Sequence, residues 1–487
     1  MKKLFFIFLA FIGVFLFASC EKFLTVTPKT EMPKDKLFST EGGFKDALTG
    51  LYIQLNSSDA YGAAMTQTTV EQLIGSWDVV SGSTPQRIGL YNFADEGVLN
   101  SFETVYGKLY SIIASANSIL EHIDANKAVF TNEEFYRTIK SECLAIRAYC
   151  HLDIIRLFGP VPTAPEEGNK FPYVTTVSKV PNAGISFDSY KQLLLKDLSD
   201  AENLVKDIDP ILKYSLIQLK NPGISSGYNP VDTYMAYRGI RMNYYAIKGL
   251  QARAYMWFNE PEKAYESAKL VIDAKNEDGT TKFRLGSAAD FSTAGDFVLT
   301  NEHLFGLYDF SMYNRYASTY AMGTIKKGTS ATIITNQLYG NTGTDIREAN
   351  LWELIVLPNQ AKCYIIKKYK VAQSPSSIAV DYKQIPMLRL SEMYMIASEA
   401  APLSEAQNYW TTFKQSRNIA TTTLSSDLEA RKFEILKEFR KEFYAEGQSY
   451  FAYKRLNAPK ANVLFSPASA KLTYLFPMPR TESINSY

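Results

Sequence analysis

The chain has 487 residues, of which 46% are hydrophobic and 21% charged, a composition typical of a folded globular protein. Its 52 Lys and Arg residues nearly balance its 50 Asp and Glu residues, so no basic excess points to nucleic acid and no acidic excess points to disorder. The length exceeds the size at which one compact core usually stops growing, so we expect either two domains or one elaborated scaffold.

The amino-terminal segment has the form of a bacterial lipoprotein signal. A basic start precedes an unbroken apolar run from Leu4 to Phe17, which is followed by two small residues and Cys20. These fourteen apolar residues fall short of the ~20 that a bilayer-spanning helix needs. The pattern predicts cleavage after Ser19, a diacylglyceryl group on the Cys20 thiol and acylation of the new amino terminus. Several acyl chains together anchor a protein stably to a membrane. The alternative is an ordinary signal peptide with a chance cysteine.

Helical periodicity first appears in two consecutive stretches. Apolar residues recur at three- and four-residue steps over residues 106–123 and again over residues 135–157. Thr131 or Asn132 is a candidate amino-terminal cap for the second stretch, and Gly159-Pro160 is a stop signal. The pattern predicts two long amphipathic helices that form an antiparallel hairpin.

Further hairpins are predicted over residues 242–274 and 388–418, and a last helix over residues 428–446. In the 242–274 hairpin, Pro261 is placed to open the second helix, and small residues allow the two helices to approach closely. The spacing around this turn fits a tetratricopeptide hairpin, although the signature Trp and Gly are absent.

Long irregular segments separate these hairpins, at residues 160–187, 207–232 and 280–385. The 280–385 segment contains two strand-like runs, at residues 303–309 and 363–369, between loops rich in Gly, Ser, Thr and Asn. So much loop within a compact domain indicates functional loops rather than mere connections. The predicted fold is mainly α, with tetratricopeptide-like helical hairpins interrupted by long irregular loop and short-strand insertions.

Cysteine and histidine usage argues against disulfides and metal sites. Cys143 and Cys150 share one predicted helix, where seven residues rise ~10 Å, which exceeds the ~7 Å limit for a disulfide. Both are expected to be buried thiols, and Cys363 is the remaining cysteine of the mature chain. The three histidines, His122, His151 and His303, share no ligand spacing, and each is expected to be structural. We expect no metal and no cofactor.

A series of short motifs in chain order resembles the SusD/RagB family of Bacteroidota nutrient-uptake lipoproteins. They are Cys20-Glu21-Lys22-Phe23-Leu24, Leu48-Thr49-Gly50-Leu51-Tyr52, Arg147-Ala148-Tyr149, Leu157-Phe158-Gly159-Pro160-Val161-Pro162, Arg389-Leu390-Ser391-Glu392-Met393-Tyr394 and Phe476-Pro477-Met478-Pro479-Arg480. One motif departs from the family: Glu446-Gly447 and Arg455 stand where expected, but Ser449 and Ala452 occupy positions usually held by Arg and Asp. Losing both partners of an ion pair leaves no charge without its counter-charge, so the loss need not destabilise the fold. The departure suggests a variant subgroup of the family.

The resemblance implies a lipoprotein on the extracellular side of the outer membrane, anchored through Cys20. It would sit as a lid on a SusC-like TonB-dependent transporter and deliver oligosaccharides or, in some branches, peptides. It further implies a signal peptide at residues 1–19, a lipidated tether at 20–40 and a single SusD-like domain at 41–487. Within that domain the hairpin scaffold would occupy about 100–160, 242–274 and 388–456, and ligand-binding insertions about 55–100 and 280–385.

Enzymatic activity is not expected. The sequence contains no Gly-x-Ser-x-Gly nucleophile elbow, no phosphate-binding loop and no dinucleotide-binding fingerprint. A glycoside hydrolase needs two carboxylates about 5 to 10 Å apart, and sequence alone cannot identify such a pair among 50 acidic residues.

Trp77 and Asp78 are the first candidates for ligand contact. An indole face stacks on the apolar face of a pyranose, while the carboxylate accepts hydrogen bonds from sugar hydroxyls. Further candidates are aromatic residues of the insertions, with one arginine: Tyr61, Tyr308, Tyr313, Arg315, Tyr316 and Tyr320. The alternative for all of them is packing of the loops onto the scaffold.

Other conspicuous residues are expected to be structural. Asp345 and Arg347 predict an ion pair next to a buried Trp352, while Trp257 and Trp410 lie in helices, where core or subunit contact is the default. Four acidic residues recur every fourth position of the last helix, at Glu434, Glu438, Glu442 and Glu446. Because Lys437 and Lys441 lie three residues along from two of them, we predict a solvated, internally paired face rather than a cation site.

Overall fold

A computed structural model of the protein describes residues 33–371 and 382–485. Cys20, the predicted signal peptide and much of the predicted tether therefore lie outside the described residues. The longer helices are α1 (Glu41–Leu55), α2 (Glu96–Ile123), α3 (Glu133–Phe158), α4 (Phe187–Val205), α5 (Tyr244–Trp257), α6 (Pro261–Ile272), α7 (Met312–Thr319), α8 (Leu390–Ala400), α9 (Leu403–Ser416), α10 (Leu428–Glu442) and α11 (Gln448–Arg455). Shorter helical turns lie at Lys34–Leu37, Thr69–Leu73, Thr84–Gly89, Pro210–Lys213, Leu216–Lys220, Ala288–Ser292, Ile346–Leu351 and Arg480–Asn485.

Within the described residues, four short strands form two antiparallel pairs. They are β1 (His303–Tyr308), β2 (Trp352–Val356), β3 (Lys362–Ile366) and β4 (Gln384–Arg389). β1 pairs with β4, and β2 pairs with β3 in a hairpin. The mainly helical fold is confirmed, and the two strand-like runs of the sequence correspond to β1 and β3.

The first predicted hairpin is confirmed in α2 and α3, which pack against each other. The Asn132 side chain caps α3 by accepting a hydrogen bond from the Glu134 N–H at 2.7 Å, and the helix ends where Gly159 leaves helical geometry. At the middle of α3, Arg147 donates to both carboxylate oxygens of Asp197 on α4, at 2.6 and 2.7 Å. This buried bidentate pair joins α3 to the following helix.

The other two hairpins are confirmed as α5 with α6 and α8 with α9, and α6 also packs against α8. Pro261 occupies the first turn of α6, as predicted. Trp257 and Trp410 are both buried, so the expectation of core packing holds for these two indoles.

The last predicted helix is wrong at its end, because α10 stops at Glu442 rather than Glu446. Ala445 and Gly447 have φ values of 64° and 71°, which interrupt the helix before α11 begins. A Cβ at position 447 would lie 1.8 Å from the Met65 carbonyl oxygen. The early loop, residues 56–68, therefore approaches so closely that position 447 accommodates only glycine.

The prediction of a solvated acidic face on α10 is also wrong. Glu438, Glu442 and Glu446 are buried, because arginines from distant parts of the chain reach them. Glu442, for example, accepts hydrogen bonds from both Arg389 and Arg417, each at 2.7 Å. The predicted Lys441 pair with Glu438 does form, at 2.7 Å. Removing such carboxylates from water is costly, and this network compensates through paired cations.

The predicted pair of Asp345 with Arg347 belongs to the same network. Their side chains meet at 2.6 Å, and Arg347 also contacts Glu438 at 2.7 Å. The neighbouring Trp352 is half-buried and donates from its indole N–H to the Tyr339 hydroxyl at 3.3 Å.

The cysteines and histidines have the structural roles expected of them. Cys143, Cys150 and Cys363 are buried and unpaired with one another. Burial lowers the pKa of His151 to about 3, and both of its ring nitrogens are hydrogen-bonded. His303 is similarly buried between a side-chain and a backbone oxygen.

Candidate functional site

An open cleft with a volume of about 960 Å³ lies between three segments of the chain. The carboxyl-terminal half of α1 forms one wall, residues 233–241 form another, and the passage from β1 into α7 forms the third. Lys108 of α2 also faces this space. The cleft is therefore built where a helix, an irregular segment and a strand end converge.

Large apolar side chains are exposed on the cleft walls. Phe310, in the turn between β1 and α7, is 77% exposed, Ile53 of α1 is 68% exposed and Tyr237 is 37% exposed. A flat aromatic ring held open to solvent at the mouth of a cleft is a platform for stacking. Exposed apolar groups clustered in one concave place mark a binding surface more clearly than single ones do.

Tyr237 is held in place by an unusual backbone geometry. Its φ is 59°, a left-handed conformation that non-glycine residues seldom adopt. Two backbone hydrogen bonds of 3.1 Å fix it, one to the Leu219 carbonyl and one from the Ile240 N–H. Such local strain persists only where the surroundings determine it, which is common at ligand sites.

A polar network centred on Glu142, which is fully buried, lies beneath the floor of the cleft. Tyr52 donates its hydroxyl hydrogen to Glu142 and accepts from the Met242 N–H at 3.0 Å. Arg241 pairs with the same carboxylate at 2.7 Å and lies over the Tyr234 ring at 4.5 Å. Burial raises the pKa of Tyr52 well above its usual value, so its hydroxyl stays protonated and keeps this hydrogen bond.

Two of the residues predicted for ligand contact line the cleft, namely Tyr308 and Arg315. Tyr308 is the last residue of β1 and is half-buried. Arg315 bonds to Asp309 at 3.2 Å and donates to the Gly62 carbonyl at 2.6 Å, so it ties the early loop to α7. Tyr313, on the same short helix, is half-buried and lies outside the cleft lining.

Trp77 and Asp78, the first candidates, lie elsewhere. The Trp77 ring is 5% exposed, and its N–H donates to the Gln67 carbonyl at 2.7 Å. Its edges pack against Tyr320 and Tyr444, at centroid separations of 5.9 and 5.1 Å. Asp78 accepts from the Gly328 N–H and lies 3.5 Å from the Lys327 ammonium. These contacts anchor a loop, which is the alternative stated for them.

Tyr61, Tyr316 and Tyr320 are buried as well. Tyr61 packs edge-on against Tyr149 at 5.3 Å, and Tyr316 stacks on Tyr320 at 5.4 Å. None of the three faces the cleft. Ligand contact by these residues stays a prediction without support from their positions.

Sequence reasoning missed Phe310, Tyr237, Ile53 and Lys108. Phe310 lies between Tyr308 and Tyr313, two aromatic residues predicted for ligand contact, so the density of aromatic residues could have indicated it. Ile53 falls between the buried Leu51 and Leu55 on α1, off the apolar stripe. Nothing local distinguishes the other two residues.

Within residues 33–371 and 382–485, no group of three or more His, Cys, Asp or Glu side chains could hold a metal ion. Over the same residues, no helix combines the length and apolar character needed to cross a membrane.

Two family models match successive parts of the chain. Residues 22–215 match a SusD-like model described as starch-binding and associating with the outer membrane, and residues 253–481 match the model of the SusD family. A curated relative, SusD-like protein P25 of Formosa agariphila, is 28% identical over 158 residues. That match spans 31% of this chain and 29% of the relative's length.

Solved structures share the fold. A SusD homolog from Bacteroides thetaiotaomicron is 16% identical, with a TM-score of 0.67 and coverage of 94% of this chain and 98% of that one. A SusD superfamily protein from the same species is 20% identical, with a TM-score of 0.66 and coverage of 91% and 98%. A SusD-like carbohydrate binding protein from Bacteroides vulgatus is 17% identical, with a TM-score of 0.62 and coverage of 85% and 83%.

The family models, the relative and the shared fold agree with the motif order in the sequence. The chain belongs to the SusD/RagB family.

Proposed function

We propose that this protein is a cell-surface lipoprotein that captures oligosaccharide in the cleft and delivers it to a SusC-like TonB-dependent transporter. The exposed Phe310 at the mouth of the cleft is the observation that carries the proposal. A pyranose presents an apolar face that stacks on such a ring, and its hydroxyls can bond to polar groups of the cleft.

The description of the family model for residues 22–215 supports the location at the outer membrane and the class of ligand. The lipid on Cys20 would hold the protein at the extracellular side, and the tether would let it remain attached while it moves over the transporter. The similar structure from Bacteroides vulgatus, a SusD-like carbohydrate binding protein, supports the same class of ligand.

Binding rather than catalysis fits the charges of the cleft. Glycoside hydrolysis uses two carboxylates on either side of the scissile bond. Among the described residues that line the cleft, Asp309 is the one acidic side chain, and it is buried and paired with Arg315. Within residues 33–371 and 382–485, the lining thus offers no second carboxylate for that mechanism.

Titration calorimetry of oligosaccharides and of short peptides against the purified protein tests the proposal. We expect an oligosaccharide to bind, and Phe310→Ala to weaken it roughly fivefold, because one stacking contact contributes about 1 kcal/mol. Ile224→Ala is the matched control, because Ile224 is 87% exposed and lies outside the cleft lining. Binding of peptides alone would contradict the proposal and favour a peptide importer.

A further inference from the structure

We propose that the ligand of the cleft is an acidic oligosaccharide, and that Lys108 binds its carboxylate or sulfate groups. This inference rests on the proposed function, since it specifies the ligand of the same cleft. It begins from an imbalance of charge among the described lining residues: three are basic, Lys108, Arg241 and Arg315, and one is acidic, Asp309.

The two arginines are already neutralised by protein groups. Arg241 pairs with Glu142 beneath the floor, and Arg315 pairs with Asp309. Both are held by further hydrogen bonds to backbone carbonyls, at 2.6 Å in each case. They form part of the cleft wall, and their charges are paired with carboxylates of the protein.

Lys108 differs from both arginines. It is half-buried, and within the described part of the chain it makes no ion pair or hydrogen bond. Its neighbours one turn away on α2 are Thr104, Val105, Ser111 and Ile112, so its own helix offers no acidic partner. The cleft therefore presents an ammonium group with unused capacity for an anion.

A second cation lies beside the stacking platform. The Lys383 ammonium is 5.7 Å from the centre of the Phe310 ring. An ammonium group beside an aromatic ring suits a sugar that carries negative charge, because the ring face stacks while the anion meets the ammonium.

Uronic acids and sulfate esters share the chemistry that Lys108 would recognise, so the test includes both. Calorimetry with the full chain would compare galacturonate tetrasaccharide with its methyl ester, and a sulfated galactan tetrasaccharide with its desulfated form. We expect at least one acidic member to bind roughly tenfold more tightly than its neutral match, since a hydrogen bond to a charged group is stronger than a neutral one. The stronger of the two acidic ligands identifies the source of the anion.

Lys108→Gln should remove most of that preference, so that the affinity for the acidic member falls close to that for its neutral match. Lys196→Gln, at an exposed lysine of α4, is the matched control and should change neither affinity. The affinity for the acidic ligand should also fall as salt is raised.

Equal binding of acidic and neutral members, or an acidic preference that survives Lys108→Gln, would overturn the inference and leave the proposed function standing. Absence of binding by every oligosaccharide, or binding of acidic peptides alone, would overturn both.

Discussion

Glu71, in the short helix Thr69–Leu73, provides a test of the packing of this helix against Gly447, the residue before α11. The carboxylate is 1% exposed, accepts from the Gly447 N–H at 2.8 Å and also accepts from the Ser76 hydroxyl. Burial raises its pKa from 4.5 to about 7, and these hydrogen bonds only partly oppose that shift. The folded protein therefore holds a proton at Glu71 that the unfolded chain releases above pH 4.5.

The sign of the effect follows from this difference in proton binding. Where the folded state binds more protons than the unfolded state, the free energy of unfolding decreases as the pH rises. For Glu71 that window runs from pH 4.5 to about 7. Each pKa unit corresponds to ~1.4 kcal/mol, so the shift corresponds to a loss of about 3 kcal/mol across the window.

Glu71→Gln removes the ionisation and keeps an amide oxygen to accept from the Gly447 N–H. We expect it to raise the free energy of unfolding at pH 8 by up to about 3 kcal/mol and to change it little at pH 5. Urea unfolding followed by tryptophan fluorescence at both pH values measures this difference.

Glu438→Gln is the matched control with the opposite sign. Burial alone would raise the pKa of Glu438, but the charges of Arg347, Lys441 and Lys414 lower it to about 2. Its contribution to stability is present above pH 4.5 and is lost as the pH falls, so the variant should be less stable at pH 8. If Glu71→Gln is also less stable at pH 8, or has the same pH dependence as the parent protein, the reasoning about Glu71 is refuted.

Two further substitutions test the fold around α10. Gly447→Ala should lower the free energy of unfolding, measured in urea, by about 2 kcal/mol or more. The reason is that φ at this position is 71° and the new Cβ would lie 1.8 Å from the Met65 carbonyl oxygen. Gly50→Ala is the control, since a Cβ there meets nothing within 4 Å. Alanine should stabilise helix α1 at this position. Equal changes in the free energy of unfolding for the two variants would contradict this explanation. Glu442→Gln should lower the free energy of unfolding by about 3 to 5 kcal/mol, because it leaves buried guanidinium groups without a compensating charge. An unchanged urea midpoint would show that the network contributes little to stability.

The long helices were predictable because their signal is local. The apolar spacing of α2 and α3 follows one face of a helix, and Asn132 and Gly159 mark the ends of α3 within a few residues. The break after Glu442 was not predictable in this way. At position 447, which follows the break, the close neighbour is Met65, which lies far away in the sequence.

The charges of α10 show the same limit. The spacing of Glu438, Glu442 and Glu446 is that of a solvated face, and only the fold reveals that Arg389 and Arg417 cover it. Local periodicity reports which residues share a face, whereas their burial depends on what packs against that face.

The candidate site was predictable as a region and not residue by residue. Aromatic density directed attention to the insertion that contains Tyr308, Arg315 and Phe310, which line the candidate cleft. Whether an aromatic ring packs inward, as Trp77 does, or stays open, as Phe310 does, depends on tertiary contacts. Composition carries no information about that choice.

A crystal structure of the protein with the oligosaccharide that binds most tightly in calorimetry tests the central claim most directly. The account predicts a sugar ring stacked on Phe310, with further units in the cleft between Tyr237 and Tyr308. Sugar density beside Trp77 or at any other surface, with the cleft empty, would contradict it.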